Sequence, residues 1–515
     1  MIPAARTADS RQVLIGAALG LYAAGVALAP GLATKAVLCA PLIAIPIGWW
    51  ILRTPNRWLA VFFFCALLAP PLPIALGDSG PHVAVLFAAA GLLIGLLRIH
   101  EWRFRPDLPA VSLVTLLAIL AASVSMAAVY SGPIVAAASL ARVVLFGISV
   151  YTFLYVRDGP GALNQQQSLR AIRWLFWAAS ISALFACVDF YFQFPAPAGY
   201  AQQFIWLDSG VFRRAQGVFY EASTLGNLCA FFLEMIAVAL FRPRETQPIP
   251  RPAMFAGGVA LAAALVLSYS RASLLNLAVA LIVLVWLHRD RIRWRRLMAG
   301  AAIFGAGATA LLSFAFPIFA GAYWQRVAVA LEYFWEAPNQ VLSGRVESWR
   351  MLGDFIASEP WHLLLGIGYK TLPYSSFIGS TAIGDNTYIS LLVETGIAGL
   401  AAVVALNIAI LVTARRASRS ADPVRSFLGT WMFCFWAGQV VQMFSADLLT
   451  YWRVLPVYLF VLALAAGDWG LETWTFCFWI SLASLGGRRS VCWICCLRSR
   501  SGDGVRPLPC PAMGR

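Results

Sequence analysis

Apolar runs of 17 or more residues recur from one end of this chain to the other. Each is about long enough to cross a bilayer hydrocarbon core of ~30 Å. Composition agrees: 61% of the 515 residues are hydrophobic and 12% are charged, against about 45–50% apolar and about 25% charged in soluble domains. The expected fold is therefore an all-α polytopic membrane protein. Fourteen candidate spans can be placed, at 13–29, 36–52, 58–76, 82–98, 109–129, 133–155, 174–192, 224–241, 253–269, 272–288, 297–320, 386–414, 425–443 and 453–467. Roughly 12–14 transmembrane helices are expected over residues 1–470. The first run reads as a span rather than a cleaved signal peptide, because it is long and many spans follow it.

The formal charge of +15 does not point to nucleic acid, because the basic residues sit in short clusters between apolar runs. With the N-terminus inside, every second loop is arginine-rich, from Arg6 and Arg11 through Arg289–Arg296 to Arg415–Arg425, whereas loops 77–81 and 130–132 carry no Lys or Arg. That asymmetry predicts N-in and C-in orientation. Two extracytoplasmic segments are then too long to be simple turns, 193–223 and 321–385. Long loops on a rigid scaffold are where function concentrates. Within the larger one, "RVESWRMLGDFIASEP" sets Val346, Trp349, Leu352, Phe355 and Ile356 at helical spacing. It predicts an amphipathic helix at the membrane interface, ended by Pro360.

Residues 471–515 differ from what precedes them. Five of the ten cysteines crowd there, and the Cys492/Cys495 pair has no second ligand pair or His nearby to complete a zinc site. This tail reads as disordered or as an altered C-terminus, and no function attaches to it. The cysteines at 39, 65, 187, 229 and 434 read as small buried hydrophobes.

Four polar clusters fall on the extracytoplasmic side. In "RRAQG", Arg213 and Arg214 either snorkel to lipid phosphates or form an anion clamp with Glu221 nearby, since a guanidinium fork matches phosphate oxygens. In "SYSRAS", which predicts a tight reversal between two short spans, Arg271 either binds reversal carbonyls or faces a ligand. Arg345 opens the amphipathic helix. In "EPWHLLLGIGYK", Gly366 and Gly368 predict a flexible turn, and His362 beside Trp361 reads as structural. Asp385 precedes the apolar run 386–414 and is either its N-cap or a catalytic carboxylate. Arg142 and Glu234 lie near mid-depth and mark either helix crossings or a substrate cavity.

Taken in order, "RRAQGVFYEASTLGNL", "SYSRASLLNLAVALI", "SGRVESWRMLGDFIASEPWHLLLGIG" and "GDNTYISLLVETGIAGL" resemble the O-antigen polymerase and ligase superfamily of bacterial envelope glycosyltransferases. The resemblance is strongest over 205–400. It implies a GT-C-like, metal-independent transferase without a cofactor, which moves a glycan from a polyprenyl diphosphate to an acceptor hydroxyl at the outer leaflet, with inversion. Arg214, Arg271 and Arg345 match the arginines that neutralise the departing diphosphate, and Arg213, Arg142, Glu221 and Asn386 join Arg345 as substrate-binding candidates. Asp385 stands where ligases carry His, and Asn386 keeps the partner place, with nine residues between it and Gly396 and then Gly399. The catalytic candidates are thus Asp385, Arg271 and Arg214.

The Asp at 385 favours an inner-membrane polysaccharide polymerase. A ligase acting on lipid A-core is the alternative, and a flippase for lipid-linked sugars is the non-enzymatic rival, against which the absence of a visible internal repeat counts. Expected partners are the lipid-linked donor and acceptor, membrane lipids, a chain-length regulator and other polysaccharide assembly proteins.

Overall fold

The computed structural model describes residues 10–72, 81–196, 203–207, 210–242, 247–289, 344–372 and 385–467, together with Tyr374 and single positions between 314 and 339. Among the described residues ten helices precede the larger loop: α1 Ser10–Leu28, α2 Gly31–Arg53, α3 Arg57–Leu68, α4 Val83–Leu97, α5 Leu108–Ser131, α6 Pro133–Arg157, α7 Gln165–Phe192, α8 Ala222–Leu240, α9 Arg251–Leu267 and α10 Arg271–Leu287. Two short helices, α11 Arg345–Ser358 and α12 His362–Leu365, lead into α13 Thr387–Ser418, α14 Pro423–Gln442 and α15 Leu455–Ala466. The strands among the described residues form one antiparallel hairpin, β1 Phe204–Leu207 with β2 Gly210–Arg213. The protein is an all-α polytopic membrane protein, as expected.

Thirteen of the fourteen expected spans coincide with helices, and the run 297–320, apart from Phe314, lies outside the described residues, as does the 471–515 tail. Among the described residues five helices (α5, α6, α7, α8 and α13) are long and apolar enough to cross a membrane by length and composition. Others are shorter than the sequence windows implied. α15 has 12 residues, about 18 Å at 1.5 Å per residue. It is buried on every side, so its uninterrupted apolar run reflects a central position in the bundle.

Helix starts are set by local chemistry. Asp107, Asn164, Ser270, Asn386 and Asp422 each accept a backbone N–H from the first turn of the helix they precede, which satisfies donors that have no intrahelical partner. α14 packs against α13 and α10, α5 joins α6 and α13, and α15 lies against α6. Phe231, Phe435, Trp431 and Tyr458 stack where α8, α14 and α15 meet. Beside them, Asn227 and Asn276 each donate to both Gln439 and Gln442 at 2.6–2.9 Å, and Tyr458 donates to Asn227. Interhelical amide bonds of this kind fix which helix faces meet, each at about 0.6 kcal/mol in a membrane. Glu234 is fully buried on α8 beside Cys434 of α14, so it lies at a helix crossing.

The described helices alternate in direction, so one end of the bundle collects the C-termini of α5, α7, α9 and α14 with the N-termini of α6, α8, α10, α13 and α15. The opposite end carries the arginine loops. There Arg157 pairs with Asp107 and Asp158, and Arg242 donates to Ser426 and Thr430.

Two expectations for the larger loop need restating. The amphipathic helix is present as α11, ending before Pro360, but its stripe packs on protein: Leu352 is buried with Ile367, Leu372 and Val393, and Tyr130, Phe355 and Ile356 cover them. The Gly366–Gly368 segment is not a flexible turn. It is docked into a break in α13 at Gly396 (φ 70°), where Ile367 N–H donates to the Val393 carbonyl at 3.1 Å and Gly368 N–H to the Glu394 carbonyl at 2.8 Å. The break leaves helix carbonyls without i+4 donors, and the loop supplies them.

Candidate active site

The Arg213–Arg214 pair splits on folding. β2 runs antiparallel to β1 and is held by Gln193, whose amide oxygen accepts from the Arg213 N–H and whose amide nitrogen donates to the Arg213 carbonyl. This register turns the Arg213 side chain inward, where it pairs with Asp189 at 2.7 Å and donates to the Phe194 carbonyl. Arg213 is thereby engaged in holding the loop to α7. Arg214 points the other way, and its Nε donates to the Ser268 carbonyl at 2.7 Å.

Ser268 belongs to the reversal that "SYSR" predicted. α9 ends at Leu267, Tyr269 takes a left-handed φ of 51°, and Ser270 caps α10. Arg271, first residue of α10, is exposed. Arg214 thus binds a reversal carbonyl, and the contact brings Arg214 and Arg271 to one corner. The first turn of α8 packs into the same corner: Ser273 donates to the Ser223 carbonyl at 3.5 Å, and Gly226 lies so close to Ser268, Ser270 and Ser273 that a Cβ there would come within 3.0 Å of all three.

Glu221 immediately precedes α8. Its side chain accepts from no backbone N–H of that helix and takes the Thr224 hydroxyl at 2.7 Å instead. Arg142 on α6, Asp385 and Asp447 all lie within electrostatic reach of it. Burial pushes the Glu221 carboxyl above its ordinary value, with the Thr224 hydroxyl and Arg142 acting the other way. Tyr451 adjoins the same carboxylates, and burial holds its hydroxyl protonated.

Asp385 is not the cap of α13. Asn386 is: its Oδ1 accepts from Tyr388 N–H at 2.9 Å and Ile389 N–H at 3.1 Å, and the residue is buried. Asn386 is therefore occupied by backbone. Asp385 instead meets Arg345, whose Nε and Nη2 both reach its Oδ2 at 3.2 Å. The bond ties the start of α11 to the start of α13, across the residues that separate them in sequence. His362 is buried between Phe355, Trp361 and Tyr130 with Glu359 on its Nε2, a packed position that suits its structural reading.

Sequence reasoning passed over four neighbours. Lys370, at φ 57°, pairs with Asp447, and Glu394 lies buried beside them. Arg453 is buried and donates to the carbonyls of Ala66, Ala69 and Val218 at 2.7–2.8 Å, with its guanidinium over Phe219. It pins the turn that leads to Glu221 against the end of α3. A signal was present, for Asp447 and Arg453 are charges in an otherwise apolar stretch at the site end of the bundle. Arg453→Met leaves three buried carbonyls unpaired at about 1–3 kcal/mol each. A thermal midpoint in detergent well below wild type is the expected result, and an unchanged midpoint would contradict this role.

The arrangement can bind an anion with cationic forks at one corner and offer carboxylates to a hydroxyl at the other. No curated protein matches the chain. Residues 256–404 match the family model described as O-antigen ligase, a stretch that includes Arg271, Arg345 and Asp385. Such a domain supports a membrane polysaccharide ligase or polymerase role in a bacterium. This O-antigen ligase match over residues 256–404 supports the O-antigen ligase and polymerase superfamily.

Proposed function

We propose that the protein is an inner-membrane polysaccharide polymerase that transfers polyprenyl-diphosphate-linked glycan repeats onto a lipid-linked acceptor at the outer leaflet. The observation that carries this reading is the convergence of Arg214, Arg271, Glu221 and the Arg345–Asp385 pair at one end of the bundle. In such a reaction a diphosphate leaves the anomeric carbon, and preorganised cations stabilise the charge it gains. Arg271 and Arg345 fill that role, Arg214 braces the corner, and a carboxylate serves the acceptor hydroxyl, so the chemistry proceeds without a metal. The positive end of α10 opens into the same corner and favours an anion there.

The O-antigen ligase description of the matched domain favours a second reading, transfer to lipid A-core. The experiment that separates them supplies purified full-length protein in liposomes with lipid-linked repeats and, separately, with lipid A-core. The expected result is a ladder of longer chains that stay on lipid. Transfer to lipid A-core would establish the ligase, and scrambling of repeats between leaflets without transfer would establish a flippase.

A further inference from the structure

We infer that Glu221 is the residue that takes the proton from the acceptor hydroxyl, and that Asp385 serves as the positioning partner of Arg345. The inference rests on the transfer reading above and assigns two roles within that same site.

The two carboxylates differ in what already holds them. Asp385 receives both Nε and Nη2 of Arg345 on a single oxygen. That oxygen is thereby occupied by its partner. It is also the more exposed, with 45% of its side chain accessible. Glu221 is fixed differently. It occupies the N-cap position of α8 with extended backbone (φ −141°, ψ 113°), the geometry in which a side chain usually turns back to cap its helix. It does not turn back. Its Oε2 accepts the Thr224 hydroxyl, and its main-chain carbonyl accepts the Leu225 N–H. Among the described residues its carboxyl has one hydrogen bond, which orients it and leaves the other oxygen for a ligand.

The surroundings of Glu221 suit proton transfer. Arg142 faces it from α6, Asp385 from the start of α13, and Asp447 and Tyr451 from the segment between α14 and α15; Arg453 lies behind on the same segment. Arg345 and Lys370 already occupy Asp385 and Asp447 as ion-pair partners, and no cation is paired with Glu221 in this way among the described residues. The proton is therefore most readily exchanged at Glu221, whose carboxyl is pushed upward by burial. In the transfer step a Glu221 oxygen takes the hydroxyl proton while the acceptor oxygen forms its bond to the anomeric carbon. The bond from that carbon to the diphosphate oxygen breaks, and its electron pair leaves with the diphosphate beside Arg271. Glu221 then releases the proton to solvent or to the departing diphosphate.

The test uses full-length protein in liposomes and lipid-linked repeats isolated from native-host membranes in which this protein has been deleted. Glu221→Gln is expected to lose roughly 100-fold or more in rate, with retained binding of undecaprenyl diphosphate as the probe. Wild-type rate should rise with pH through an inflection above the ordinary carboxylate value of 4.5. Glu221→Asp should keep measurable activity and move that inflection. Asp385→Asn should lose rate but keep the inflection where it was. Glu221→Gln with wild-type rate overturns the assignment and leaves transfer itself standing, and so does an inflection that disappears in Asp385→Asn. Probe binding that falls in parallel with rate also overturns it, by making Glu221 a binding group. Should Glu221→Gln fail to fold, an inflection unmoved in Glu221→Asp overturns it equally. Wild-type protein that transfers no glycan sinks the underlying reading, and the assignment with it.

Discussion

Arg271→Ala is expected to slow glycan transfer by roughly 10²–10³, the usual loss when one preorganised donor to developing charge is removed. Arg271 opens α10 immediately after the Ser270 cap, and that helix start is held by the Ser273 N–H donating to the Ser270 hydroxyl. The alanine variant should therefore fold and reach the membrane at normal levels. Arg271→Lys keeps the charge without the planar fork and should fall between the two. Arg345→Ala should show a loss of similar order, because it removes a guanidinium and also frees Asp385. Single-turnover assays on purified protein, normalised to protein amount, read both effects. If both alanine variants polymerise at the wild-type rate, the diphosphate clamp is elsewhere.

The second large effect concerns folding. Gly396 sits at φ 70° inside α13, and a Cβ there would come within 2.4 Å of the Leu364 carbonyl oxygen. At φ 70° and ψ −170° the backbone is essentially glycine-only and costs another residue about 1–3 kcal/mol by itself, and the clash would also push the 362–368 loop out of the helix break. Gly396→Val should thus cost about 3 kcal/mol or more. Accumulation in the membrane and the thermal midpoint in detergent should both drop sharply. Gly353→Ala is the control, because that glycine is helical and a Cβ there meets nothing within 4 Å; its effect should be neutral to slightly stabilising, by about 0.5–1 kcal/mol. Equal behaviour of the two variants would mean that the docking contributes little.

Helix positions were largely legible from the chain, because apolar runs of span length have few alternatives in a bilayer. The reversal at Ser268–Ser270 and the helix ending before Pro360 were legible for a different reason, being local matters of turn and cap chemistry. Less legible was what each polar side chain does once distant segments meet. Arg213 and Arg214 are neighbours in sequence, yet strand alternation sends one to Asp189 and the other to Ser268. Asp385 and Asn386 look interchangeable as caps, and only the backbone geometry before α13 decides that Asn386 takes the work. Lys370 and Asp447 pair across 77 positions, and no local pattern foretells that. The short, wholly buried α15 reads in sequence like a lipid-facing span, since lipid and protein interior accept the same side chains.

The docking of the Gly366–Gly368 segment into α13 also has an order in time. The N–H groups of Ile367 and Gly368 precede the carbonyls of Val393 and Glu394 in the chain, so a ribosome makes the donors before it makes the broken helix that needs them. A nascent α13 leaves the exit tunnel with its partner loop already synthesised and close by. The exposed carbonyls of its break need not persist in lipid while a later segment is awaited.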